Sequence, residues 1–93
     1  IIRNTVDAFE IHGNIPNPWN NETQIQFYLP DAGDVSIRIM DVTGKVVHTK
    51  VEYFKQGENT MRISKDDISV AGLLMYELKF AGQTKVSKML NIR

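Results

Sequence analysis

The sequence predicts an all-β fold, an immunoglobulin-like antiparallel β-sandwich of about seven strands. Three observations lead there: apolar residues recur at every second position, turn residues interrupt the runs about every eight to twelve residues, and no stretch carries the helical period. A small barrel is the competing architecture.

Taken in order, Phe9 and Ile11 flanking Glu10 predict a short first strand, which the segment Gly13-Asn14-Ile15-Pro16-Asn17-Pro18 then ends because proline lacks the ladder donor. Thr23, Ile25, Phe27 and Leu29 alternate with Gln24, Gln26 and Tyr28, and Pro30 stops the run. Val35, Ile37 and Ile39 form a third run, ending at Asp41-Val42-Thr43-Gly44-Lys45, where Gly44 can supply a positive φ. The next run places Val47, Thr49, Val51 and Tyr53 on one face, with Val46, His48, Lys50 and Glu52 on the face expected to meet solvent. Two runs joined so closely must pair as a hairpin. Gln56-Gly57-Glu58-Asn59 reads as a turn into Thr60–Ser64, with Met61 and Ile63 on one face. Lys65-Asp66-Asp67-Ile68-Ser69 shows no alternation and reads as a loop or a single helical turn. Ala71-Gly72 resets the chain into Leu74, Tyr76, Leu78 and Phe80, and Ala81-Gly82-Gln83 turns it into a last strand carrying Val86, Lys88, Leu90 and Ile92.

Length and charge narrow the function. At 93 residues there is room for one domain with one thin core and no deep cavity. Eleven Lys and Arg balance eleven Asp and Glu, so the basic excess typical of binders of nucleic acid or anionic lipid is missing. Neither nucleic acid nor direct membrane insertion is expected. With no cysteine there is no disulfide framework, thiolate metal site or Cys nucleophile. No apolar run approaches the roughly 18 to 20 residues of a membrane span. The start Ile1-Ile2-Arg3, without Met, reads as a piece of a longer polypeptide.

Groups capable of chemistry are few. His12 and His48 are expected at the surface, and Asp66-Asp67 as a solvated turn or cap rather than a cation site. Asp31, Asp34 and Asp41 fall at turns, where aspartate bonds nearby backbone, rather than forming a glycosidase pair. No nucleophile elbow, phosphate loop or metal spacing occurs. The expectation is no enzyme, no metal and no cofactor. Asn21-Glu22-Thr23 matches the short glycosylation acceptor pattern, which arises easily by chance. Trp19, the single tryptophan, sits behind a rigid Pro-x-Pro and reads as a plug for the open end of a sandwich. The competing reading is an accessory immunoglobulin-like module that binds carbohydrate or protein through Trp19 and the nearby Asn residues.

Several phrases together carry a resemblance. Phe9-Glu10-Ile11, Asn14-Ile15-Pro16-Asn17-Pro18-Trp19-Asn20, Thr23-Gln24-Ile25-Gln26-Phe27 and Leu29-Pro30 resemble the opening of type A C-terminal sorting domains of the type IX (Por) secretion system of Bacteroidetes. Asp41, Gly44 and Lys45 match its central hairpin phrase, Gly57 and Asn59 its G-x-N turn, Ala71-Gly72 its step before the penultimate strand, and Lys85, Lys88, Leu90 and Ile92 its basic, apolar tail. The resemblance spans Phe9 to Arg93. Trp19 replaces a usual Phe, Met40 a usual Tyr, and Leu73-Leu74-Met75-Tyr76 keeps one Tyr of a usual pair. A flagellar-hook-cap sandwich shares some phrases, but its W-D-G after the Gly57 turn is absent.

The resemblance implies an address rather than a catalyst. It implies residues 1–8 as the end of a linker from an upstream cargo domain in the same chain, and residues 9–93 as a sorting domain. The implied partners are an outer-membrane translocon and a sortase-like peptidase that cleaves the domain off, with cargo released or surface-anchored. The implied route runs through the periplasm to the cell surface or medium. Within this scheme the final hairpin is the expected recognition surface, with Gly72, Lys85, Lys88, Leu90, Ile92 and Arg93 as contacts and the last strand open to strand addition.

Overall fold

The computed structural model describes residues 8–92. Arg93 and all of the expected linker except Ala8 lie outside the described residues. Seven strands follow in order: β1 (Glu10–Ile15), β2 (Glu22–Leu29), β3 (Gly33–Met40), β4 (Val46–Phe54), β5 (Gly57–Ser64), β6 (Gly72–Phe80) and β7 (Gln83–Asn91). They form a three-stranded sheet ordered β1-β2-β5 and a four-stranded sheet ordered β4-β3-β6-β7. Every strand pairing is antiparallel. The result is the expected sandwich, in the immunoglobulin constant-domain arrangement with the fourth strand moved to the other sheet.

The core follows the period-two pattern. Ile25, Phe27 and Leu29 of β2 meet Val35, Ile37 and Ile39 of β3 and Leu74, Tyr76 and Leu78 of β6, all buried. Each such side chain contributes about 1.5 to 3 kcal/mol before chain entropy is subtracted. Phe27 and Phe54 meet edge to face with centroids 4.9 Å apart, and Phe9 packs at a tilt on Phe80 at 5.8 Å. Gly33 is tight for the same reason, since a Cβ there would lie 2.9 Å from Phe80 Cε1. The Ala81-Gly82 turn joins Phe80 directly to Gln83, with positive φ at both turn residues, as two-residue hairpins require.

Three local expectations are corrected. First, β1 runs on to Ile15 instead of ending before Gly13, because His12 is bulged out between the pairs Ile11–Phe27 and Gly13–Gln26, with Gly13 at φ +115°. Second, Asn59 lies inside β5, not in a turn; its amide donates to the carbonyls of Lys55 and Gly57 and so shapes the strand entry.

Third, the faces of β4 are reversed. Met40 pairs with Val46 but Ile39 pairs with His48, so Val47 is an extra residue. Had the register at the turn continued, Val47, Thr49 and Val51 would stand opposite the core residues Ile39, Ile37 and Val35. The bulge shifts the phase by one, keeping Val47 against the core while turning Val51 and Tyr53 outward, 68% and 63% exposed. His48 becomes half-buried, with its Nε2 enclosed and without a partner. β7 buries Met89 and Asn91, so Val86, Lys88 and Leu90 point to the outer face.

Candidate recognition surface

The segment after β1 fastens the end of β7. Trp19 N–H donates to the Leu90 carbonyl at 2.9 Å, and Ile92 N–H donates to the Trp19 carbonyl at 2.8 Å. Trp19 thereby forms a parallel bridge to Asn91. Asn17 adds a third tie, its Oδ1 accepting from Leu90 N–H at 3.0 Å. The indole is 1% exposed and plugs the sandwich as expected, with Nε1 lacking an acceptor. A side chain so covered offers no stacking platform to a sugar.

The peptide bonds Ile15-Pro16 and Asn17-Pro18 are both cis. A buried polar cluster holds the Pro16 carbonyl, which accepts from Thr23 Oγ1 at 2.8 Å and from Asn14 Nδ2 at 3.3 Å. Asn14 Nδ2 also donates to Thr23 Oγ1 at 3.0 Å, and the Tyr76 hydroxyl approaches Asn14 Oδ1 at 3.4 Å. Burial raises the pKa of that Tyr76 hydroxyl above its ordinary value. Buried polar groups need such partners, which ties Asn14 and Thr23 to one geometry. On the far side, Asn91 Nδ2 donates to the Val70 carbonyl at 3.0 Å, next to Gly72 at φ +105°.

The remaining motif residues build turns. Asp41 Oδ1 accepts from Thr43 Oγ1 and from the backbone N–H groups of Thr43 and Lys45. Those bonds, the Thr43 hydroxyl's first, hold its pKa below the usual carboxylate value. Gly44, at φ +87°, closes the turn by donating to the Asp41 carbonyl. Asp67 caps the turn after β5, accepting from Ser64 N–H at 2.9 Å. That bond, with the Ser64 hydroxyl and the nearby Lys50 charge adding to it, lowers its pKa. Asp34 stands on β3 rather than in the preceding turn. Exposed His12 pairs with Glu58 at 3.0 Å. Among the described residues no group of three His, Cys, Asp or Glu side chains gathers as a metal site.

The expected contact residues are brought together in part. Lys88 and Leu90 stand on the outer side of β7, where Leu90 pairs with Leu73 and Lys88 with Met75, and Ile92 is exposed just beyond the strand. Lys85 pairs with Leu78 and so points to the other side of the strand. The backbone edge of β7 at Leu90 and Ile92 is already taken by Asn17 and Trp19, which leaves strand addition there only the stretch before Leu90.

Sequence reasoning missed the partners of this end: Asn14, Thr23, Tyr76 and Asn91 as buried polar anchors, and Val51 and Tyr53 as surface. The signal for the anchors was present in Asn14 and Thr23 flanking the proline segment. Nothing local marked Asn91.

The motif residues of this small antiparallel sandwich thus shape its turns and fasten its last strand. The sequence model of the Secretion system C-terminal sorting domain family matches residues 15–92, most of the chain, and the protein belongs to that family. No curated protein and no solved structure shows a match to it. Membership implies a secretion signal, interaction with the type IX secretion system, and export to the cell surface or extracellular space.

Proposed function

We propose that this chain is the C-terminal signal domain that directs its parent protein through the type IX system across the outer membrane. After passage through the periplasm, the domain is cleaved by a sortase-like peptidase and the cargo is released or anchored at the surface. Residues 9–93 form the signal domain, and residues 1–8 close the linker from the cargo. The family match over residues 15–92 carries this reading. The locked end of β7 supports it, because the motif residues Asn17 and Trp19 spend their polar groups on presenting that strand in one position.

The translocon reads the final hairpin, with Gly72, Lys85, Lys88, Leu90, Ile92 and Arg93 as contacts. Deleting residues 88–93 from a fused reporter in a type IX-competent host is expected to strand it in the periplasm. That deletion also removes both partners of Trp19, so the paired charge reversal Lys85→Glu/Lys88→Glu, at exposed positions, serves as the variant that keeps its fold. Normal surface delivery of both folded variants would refute the hairpin as the recognised element.

A further inference from the structure

We propose that the outer face of the four-stranded sheet, not the final hairpin alone, is the seat of the type IX partner, and that this partner surface is apolar and carries carboxylates. The inference rests on the sorting function above and names the surface that performs it.

The two outer faces of the sandwich differ in kind. On the three-stranded sheet the outward positions are polar, Gln24, Gln26, Thr60 and Arg62 among them, and a single large exposed hydrophobic, Ile15, stands there. Of ten exposed large hydrophobic side chains among the described residues, seven lie on the outer face of the four-stranded sheet, three from β4, two from β6 and two from β7. Scattered exposed apolar residues need no explanation, but their segregation onto one face marks an interaction surface.

The β4 bulge makes this face what it is. Continuing the turn's register would bring Val51 opposite Val35 on the core side, and the one-residue shift gives up that burial to carry Val51 and Tyr53 outward. The same shift turns Phe54 inward, where it is buried edge to face with Phe27, so the core is completed while Val51 and Tyr53 are presented outside.

Charge selects the occupant. Arg38 and Glu77 pair at 3.1 Å in the middle of the face and neutralise each other. Lys79 and Lys88, on the same face, have no carboxylate partner among the described residues. A partner bearing acids opposite them satisfies both, whereas one without acids leaves both ammonium groups desolvated and unpaired. Shape points to protein rather than bilayer. A shallow depression of about 570 Å³ lies where the small side chains Ser36, Thr49 and Thr84 meet Val51 and Lys79. A protruding ridge of side chains fills such a hollow, and a planar lipid surface does not.

The discriminating positions lie on β4, outside the final hairpin. A reporter fused to the full chain is expressed in a type IX-competent host and in one lacking the translocon. Val51→Glu and Tyr53→Glu, with melting temperatures near wild type, are expected to lower surface delivery about tenfold, the scale of an interface anchor lost. Val51→Lys should lower it less than Val51→Glu, and the opposite-face controls Gln24→Glu and Gln26→Glu should leave it unchanged. Delivery of the folded β4 variants at the wild-type level overturns the inference while leaving the sorting function intact. Wild-type chain that sediments with phosphatidylglycerol vesicles, lost in Val51→Glu without change in delivery, also overturns it by assigning the face to lipid. Equal delivery of wild type in both hosts overturns the sorting reading and this inference together.

Discussion

Replacing Trp19 by Ala removes the largest side chain that the structure buries almost completely. Truncating a buried aromatic to Ala costs about 3 to 5 kcal/mol through lost transfer energy and the cavity left behind. A domain of 93 residues has a total stability of about 5 to 14 kcal/mol, so this one change removes about a fifth or more of it. At about 4 to 8 °C per kcal/mol, the melting temperature should fall by about 12 to 40 °C. Trp19→Phe separates packing from polarity. It loses part of the ring but also the indole N–H, which is buried without an acceptor and costs about 1 to 3 kcal/mol as an orphan donor. The two changes offset, and Trp19→Phe should stay within about 1 kcal/mol of wild type. Urea and thermal unfolding followed by circular dichroism measure both. Trp19→Ala within 1 kcal/mol of wild type, or Trp19→Phe as damaging as Trp19→Ala, would refute the plug.

Three further outcomes follow from the same structure. Asp67 has a folded-state pKa below its unfolded value, so its contribution is fully present above about pH 4 and is lost as pH falls through the lower folded value. Asp67→Asn should therefore flatten the acid limb of stability measured by urea unfolding from pH 6 to pH 2, and an unchanged acid limb would contradict the cap. Gly33→Ala forces the Phe80 ring to move from a 2.9 Å overlap and should destabilise by about 1 to 3 kcal/mol in the same assay, with a neutral result showing that the ring yields freely. Asn17→Ala removes the acceptor of Leu90 N–H, so amide exchange at Leu90 should accelerate while core amides such as Ile37 stay protected.

Legibility varied with position in the sheet. β2, β3 and β6 are central strands whose apolar residues face the core without interruption, so alternation alone placed Ile25, Ile37 and Leu78 correctly. β4 and β7 are edge strands, and there alternation placed the residues on a face without telling which face was inside. In β4 the answer depended on one bulged residue, Val47, which no local pattern marks. In β7 the outward Val86 and Leu90 are as apolar as the buried Met89, so hydrophobicity alone did not separate core from surface. Where one face of a sheet serves a partner, hydrophobic pattern reports both core and interface and cannot separate them. The Trp19 plug was legible from Pro-x-Pro rigidity, but its hydrogen bonds to Leu90 and Ile92 join residues more than seventy positions apart.

Fusing this chain to a neutral reporter and fractionating a type IX-competent host and its translocon-deficient counterpart tests the central claim most directly. The account predicts reporter at the surface or in the medium of the first and confined to the periplasm of the second. The same distribution in both hosts, with the domain folded, would contradict it.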